Sequence, residues 1–209
     1  MDKDAVWRHV RTEREALAGT LRELSEDEWA HPSLCAGWTV RDVAAHITAS
    51  PQVRLIDIPV MLARGGFSYN RMILRDGQLR GRAPIEQIIA DHERLADVRR
   101  HPPMLTPLEP LTDILVHTQD ILRPLGRDYT APTEAILLAA DRARRMALFL
   151  GSRRTIHSVR MVATDADWVR GDGPTIEAPM QELLMVCAGR TPDMALVRGD
   201  GRELLTTSA

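Results

Sequence analysis

One stretch constrains this chain more than any other: Leu111-Thr112-Asp113-Ile114-Leu115-Val116-His117-Thr118-Gln119-Asp120-Ile121-Leu122-Arg123-Pro124-Leu125-Gly126. It reads as an amphipathic helix, because Pro110 suits a first turn and Pro124 with Gly126 suits an end. Leu111, Ile114, Leu115, Thr118, Ile121, Leu122 and Leu125 recur at helical spacing and give the buried stripe. Asp113 and His117 stand one helical turn apart on the flank of that stripe, and Asp120 shares their face. A carboxylate and an imidazole aimed together into a bundle can supply two ligands of a metal site. The same spacing serves a hydrogen-bonded pair on a solvated face, and an acid in a first turn is favoured by the helix dipole alone.

A third ligand has to come from elsewhere, and His46 is the candidate. In Gly37-Trp38-Thr39-Val40-Arg41-Asp42-Val43-Ala44-Ala45-His46-Ile47, Thr39 and Asp42 have capping-box form, so a helix starts there. Val40, Val43, Ala44 and Ile47 form its apolar face. His46 lies on the edge of that face and points inward, where a histidine is either a satisfied core residue or a ligand. Trp38, just before the cap, reads as a core anchor across the helix start.

The length of 209 residues fits one large domain, or one domain with a small appendix. A net charge of −2 gives no electrostatic footprint for nucleic acid. No apolar run reaches the length of a membrane span. The polar N-terminus begins a helix and is not a signal peptide. The two cysteines, Cys35 and Cys187, are far apart and form no metal-type pair or disulfide framework, which fits a reducing cytoplasm. Each is expected to be a small buried apolar residue. Lys3 is the only lysine among 27 basic residues, a codon bias of GC-rich bacteria.

Taken in order, Asp4–Leu24 reads as a long first helix with Val6, Val10, Leu17, Leu21 and Leu24 inside. Ser25 with Glu28 opens a short second one. A helix is expected over Pro51–Ala63, kinked at Pro59. Phe67–Arg82 reads as irregular, with Gly77 and Gly81 as turn markers, and such a long connection is a candidate lid. Its arginines (Arg71, Arg75, Arg80 and Arg82) are candidates to meet an anion, though each alone is expected to be solvated. Pro84–Arg100 reads as a helix with His92 exposed. Pro102, Pro103 and Pro107 then enforce an extended connection. Beyond the central helix, Pro132–Leu150 is a further helix. After Gly151 the pattern changes: Thr155–Thr164, Trp168–Arg170, Thr175–Glu177 and Ala195–Arg198 read as strands, and Pro179–Ala188 as a helix. A segment of this size makes a thin core, so it is expected to dock on the bundle near the open side of the site.

Two motifs together carry a family resemblance. Gly37–His46 resembles the second-helix motif of the mycothiol-dependent maleylpyruvate isomerase family, within the wider DinB-like metal-binding bundles. Asp113–Asp120, ending in Pro124-Leu125-Gly126, resembles that family's second ligand-bearing helix. Arg160–Trp168, with Leu183-Leu184 and Gly189-Arg190, is similar to the small C-terminal domain often attached to such bundles. The resemblance implies a mainly α chain: a DinB-like four-helix bundle over residues 1–150, then a small α+β C-terminal domain over 151–209. It implies a divalent metal, zinc in most members, held by His46, Asp113 and His117, with Asp120 behind an imidazole as its hydrogen-bond acceptor. The characterised isomerase has Glu where this chain has Asp113, which is shorter by one methylene.

Two histidines and one carboxylate leave coordination positions open, as catalytic zinc sites do. The resemblance places there the sulfur of mycothiol, a small actinobacterial thiol, as a nucleophile toward a small-molecule electrophile. If the adduct rotates and expels the thiol, the enzyme is a cis–trans isomerase; if the adduct is released, it is an S-transferase. A dicarboxylate isomerase needs an anion clamp, and the sequence ties no arginine to the metal helices, which favours the transferase. Arg160, Arg170, Arg190 and Arg198 are the C-terminal candidates for such a clamp. The reading from another class is a non-catalytic metal- or ligand-binding module of the same fold.

Overall fold

The first helix, α1 (Lys3–Arg22), starts where the Asp2 side chain accepts the Asp4 N–H at 2.9 Å, a cap that satisfies one orphan donor of the first turn. The structure, a computed structural model, describes residues 2–101 and 105–205. Next come α2 (Glu26–Ala30) and α3 (Val40–Ile47), each opened by the expected capping box, Ser25 with Glu28 and Thr39 with Asp42. Then follow α4 (Ile58–Arg64), α5 (Tyr69–Arg80), α6 (Ile85–Leu95) and α7 (Leu108–Leu122).

By backbone packing the chain forms two compact units, Met1–Tyr129 and Thr130–Ala209. In the first, α1 packs on α6 and α7, and α3 packs on the same two helices, which closes a four-helix bundle. Leu17, Leu21, Leu111, Ile114, Leu115 and Ile121 are fully buried there, each contributing roughly 1.5–3 kcal/mol of hydrophobic stabilisation. The central helix α7 is not one-sided: of its 15 residues every one except Asp113 is buried. Its polar residues are therefore satisfied internally. Thr112 and Thr118 donate back to the carbonyls of Leu108 and Ile114, at 2.8 and 2.7 Å.

Several elements differ from the sequence expectation. Pro59 sits in the first turn of α4 and starts that helix instead of kinking one. Pro107 has helical backbone and leads into α7, while Pro102 and Pro103 lie outside the described residues. The helix α6 stops at Leu95. There the buried Arg14 of α1 donates to the carbonyls of Leu95 and Val98, both at 3.0 Å, and takes up acceptors that a helix end leaves free. His92 is buried, not exposed, and its Nε2–H donates to Ala44 O at 2.8 Å.

The expected irregular lid over Phe67–Arg82 is largely the helix α5, packed on α3 and α4. Gly77 is no turn there. A Cβ at this position would stand 2.6 Å from Trp38 Cε2, so glycine is what lets α5 lie against the indole. Trp38 Nε1–H donates to Leu74 O at 2.9 Å and completes the contact.

The second unit holds α8 (Thr133–Arg145), α9 (Ala147–Leu150), α10 (Arg153–Ser158), β1 (Arg160–Ala163), β2 (Val169–Arg170), β3 (Thr175–Ala178) and α11 (Met180–Cys187). The one expected helix over Pro132–Leu150 is thus two, and α8 packs on α11. The first half of the expected strand Thr155–Thr164 is α10, whose Ile156 is buried. The sheet order is β2-β1-β3, with β2 antiparallel and β3 parallel to β1, Met161 pairing with Arg170 and Ile176. Ala195–Arg198 contributes only an isolated bridge, Glu177 to Arg198. Arg170 donates to both carboxylate oxygens of Asp141, at 3.0 and 2.9 Å, and lies over the Trp168 ring. Among the described residues no helix is long and apolar enough to cross a membrane.

Two outcomes follow for the first unit. Gly77→Ala gains up to about 1 kcal/mol of helix propensity but overpacks the Trp38 contact at a cost of roughly 1–3 kcal/mol. Its urea midpoint is expected to fall with an unchanged m-value. For His92, burial pushes the imidazole from 6.5 down to about 4, against the Ala44 hydrogen bond and with the Arg14 charge. The unfolded chain therefore binds the extra proton first as pH falls. The protein loses up to about 3 kcal/mol between pH 6.5 and 4 on this account. Unfolding free energies of His92→Gln and the wild type, measured across that window, should differ in slope by this amount.

Candidate metal centre

The helix α3 delivers His46, and the Thr39 cap fixes where that helix begins. The helix α7, packed against α3, delivers Asp113 and His117. His46 Nε2 is 3.8 Å from Asp113 Oδ1, and His117 Nε2 is 3.4 Å from the same oxygen. One ligand-type atom from each residue lies within 4.8 Å of the others. Ligand atoms of a tetrahedral zinc site with bonds of ~2.0–2.2 Å stand roughly 3.3–3.6 Å apart, close to the 3.4 and 3.8 Å that separate Asp113 Oδ1 from the two imidazoles. The two histidine rings meet edge to face, 5.2 Å between centroids, and Trp38 leans on His46 at 4.8 Å. Asp113 retains 28% of its side-chain exposure, against 15% for His46 and 11% for His117, so the cluster opens to solvent on the Asp113 side.

Asp120, the fourth expected residue, stands beside His117. His117 Nδ1–H donates to Asp120 Oδ2 at 2.8 Å, and the Asp120 side chain has no exposure. This bond assigns the proton to Nδ1 and leaves Nε2 facing Asp113. Cys35, expected to be an inert apolar residue, is only partly buried and stands beside this pair. Its Sγ is 3.1 Å from Asp120 Oδ2 and 3.6 Å from His117 Nδ1. Cys35, His117 and Asp120 therefore form a second group of ligand-type atoms within 4.8 Å. Sequence reasoning missed it because the loop before α3 gives no periodic signal.

The electrostatics separate the two histidines. Burial pushes His46 down to about 4 despite Asp113, so at neutral pH it is an uncharged donor of a lone pair. Burial opposes charge on His117 as well, but its hydrogen bond to Asp113, that carboxylate's charge and Asp120 win, holding it well above the usual imidazole value. Burial likewise pushes Asp113 up, and His117 and His46 together bring it below the ordinary carboxylate value. Without an ion, Asp113 and His117 therefore share a proton at Nε2, in the place a cation would take.

Most of the candidate arginines are engaged elsewhere, while Arg82 is exposed. Arg80 pairs with Asp76 at 2.7 Å, Arg71 and Arg75 donate to the carbonyls of Gly66 and Arg64, and Arg14 holds the α6 carbonyls. In the second unit Arg170 is paired with Asp141 and Arg190 donates to Ala188 O, while Arg160 and Arg198 are exposed. Cys187 is buried, and its thiol is pushed up to about 12, as expected of an inert residue.

Residues 10–100 match the family model described as the mycothiol maleylpyruvate isomerase N-terminal domain. That range contains Cys35 and His46 and ends before α7. Among solved structures, the chain is similar to the crystal structure of the mycothiol-dependent maleylpyruvate isomerase. The TM-score is 0.66 and the identity 15%, covering 96% of this chain and 93% of that one. A histidine-to-alanine mutant of that isomerase matches over the same shares, with the same TM-score and 14% identity. At such identity the likeness is one of fold. Comparison with curated proteins finds no match.

Proposed function

From an N-terminal segment of the mycothiol maleylpyruvate isomerase type, we propose that this chain is a metal-dependent enzyme that uses a low-molecular-weight thiol, mycothiol, as its nucleophile. The observation that carries the reading is the convergence of His46 Nε2, Asp113 Oδ1 and His117 Nε2 beside an opening to solvent. A divalent cation held there, zinc by the chemistry of the donor set, would stabilise a thiolate at neutral pH and so present a thiol as a nucleophile.

The chain's own residues do the rest. His46 offers a lone pair without first losing a proton. His117 gives up the Nε2 proton it shares with Asp113, while its Nδ1 proton stays on the ring, hydrogen-bonded to Asp120 Oδ2. Trp38 walls the His46 side. The half-open Asp113 edge admits the thiol and then the electrophile.

Addition of the thiol to an electrophilic carbon is common to an S-transferase and a cis–trans isomerase. The commitment of Arg71, Arg75 and Arg80 to protein groups favours the transferase, because it leaves only the exposed Arg82 of the four loop arginines as a clamp for a dicarboxylate. The name of the matched family and of the solved relative favours the isomerase. A binding module without turnover is the alternative reading.

The expected outcome is about one equivalent of divalent metal in the wild type by elemental analysis, and substoichiometric metal in folded His46→Ala and His117→Ala proteins. Full metal content in both variants would refute the ligand assignment. With mycothiol and an alkylating electrophile, chelation should abolish turnover and zinc should restore it. With maleylpyruvate, isomerisation without a stable adduct would decide for the isomerase.

A further inference from the structure

The loop that joins α2 to α3 is fixed from within and from outside. Ser33 N–H donates to Trp38 O at 3.0 Å, Cys35 N–H to Ser33 Oγ at 3.1 Å, and Trp38 N–H to Cys35 O at 3.0 Å. Gly37, at φ 80°, takes a left-handed turn that a side chain would strain. Leu34 N–H donates to Asp120 O at 3.0 Å and ties the loop to α7. The cysteine thiol is thereby delivered to Asp120 Oδ2, the same oxygen that accepts His117 Nδ1–H.

We propose that Cys35 is a positioning residue for the metal centre. Its S–H donates to Asp120 Oδ2 and holds the carboxylate in the orientation that accepts His117 Nδ1–H, which keeps His117 Nε2 aimed at the ion. The inference rests on the metal reading above. Two considerations separate it from a second metal site built on Cys35, His117 and Asp120. His117 Nδ1 and Asp120 Oδ2 are 2.8 Å apart, closer than two ligands of one tetrahedral ion stand at roughly 3.3–3.6 Å. A thiolate at 3.1 Å would also set a second negative charge against a buried carboxylate, whereas a thiol supplies a donor to it. Groups that orient a ligating imidazole set metal affinity as well as geometry.

The test uses the metal-free full-length protein titrated with Co²⁺ against a chromophoric chelator. Cys35→Ala and Cys35→Val, the second filling the space of the thiol without a donor, are expected to weaken binding about tenfold or more. Cys35→Ser, which keeps a donor, should recover most of that loss. Thermal unfolding of the metal-free Val and Ser variants checks that both fold, with Val the less stable of the two because it leaves the buried Asp120 Oδ2 one donor short. The wild-type cobalt spectrum should show d–d bands without a thiolate-to-cobalt charge-transfer band. Unchanged affinity in both apolar variants overturns the proposal alone, and so does a charge-transfer band that Cys35→Ser abolishes. A wild type that binds no cobalt overturns the metal reading and this inference with it.

Discussion

The row of Asp113, His117 and Asp120 along one buried helix is what the rest of the first unit has to accommodate. Two carboxylates and an imidazole in a low-dielectric interior are tolerated only when each charged form meets a partner. Asp120, without exposure, is met by His117 and by the Cys35 thiol. Asp113 is met by His117 and, across the helix contact, by His46. Removing one of these partners weakens the compensation of a buried charge, so the packing of α3 on α7 and the course of the loop before α3 serve the polar row as well as the leucines around it.

Much of this was legible in the sequence because its signals are local. Capping boxes at Ser25 and Thr39 mark helix starts through contacts three residues apart. Proline and glycine bracket α7, and its acid and imidazole fall on one face by periodicity alone. The resemblance then joined His46 to that face. What escaped depends on partners distant in sequence. Gly77 carries the local signature of a turn, but Trp38 decides that it is a helix contact. His92 sits in a charged run, Asp91 to Glu93, that reads as solvated; the carbonyl of Ala44 draws it inside. Arg14 ends α6 from another helix. Cys35 acquires its role from residues far along the chain. The β-branched pair Thr155-Ile156 suggested a strand, yet Ile156 is buried on a short helix. The shift of α8 into the second unit is of the same kind, since its apolar face is matched by α11 and no pattern within α8 says so.

The loop from Ser33 to Trp38 reaches both imidazoles at once. At one end Cys35 supports the carboxylate behind His117, and at the other Trp38 lies against the His46 ring while its indole N–H is held by α5. A short segment without regular structure thus shares in the alignment of the two helices that carry the histidines. Such order in a loop comes from its internal hydrogen bonds, since a segment of this length has no hydrophobic stripe of its own.

The two imidazoles are nonetheless held unequally. His117 is anchored through Nδ1, whereas His46 Nδ1 is buried with no hydrogen-bond partner among the described residues. Turning the His117 ring costs a charge-assisted bond, while turning the His46 ring breaks none. The centre therefore has a fixed jaw on α7 and a looser one on α3. The His46 ring takes its orientation from packing alone, against the Trp38 indole and the edge of His117.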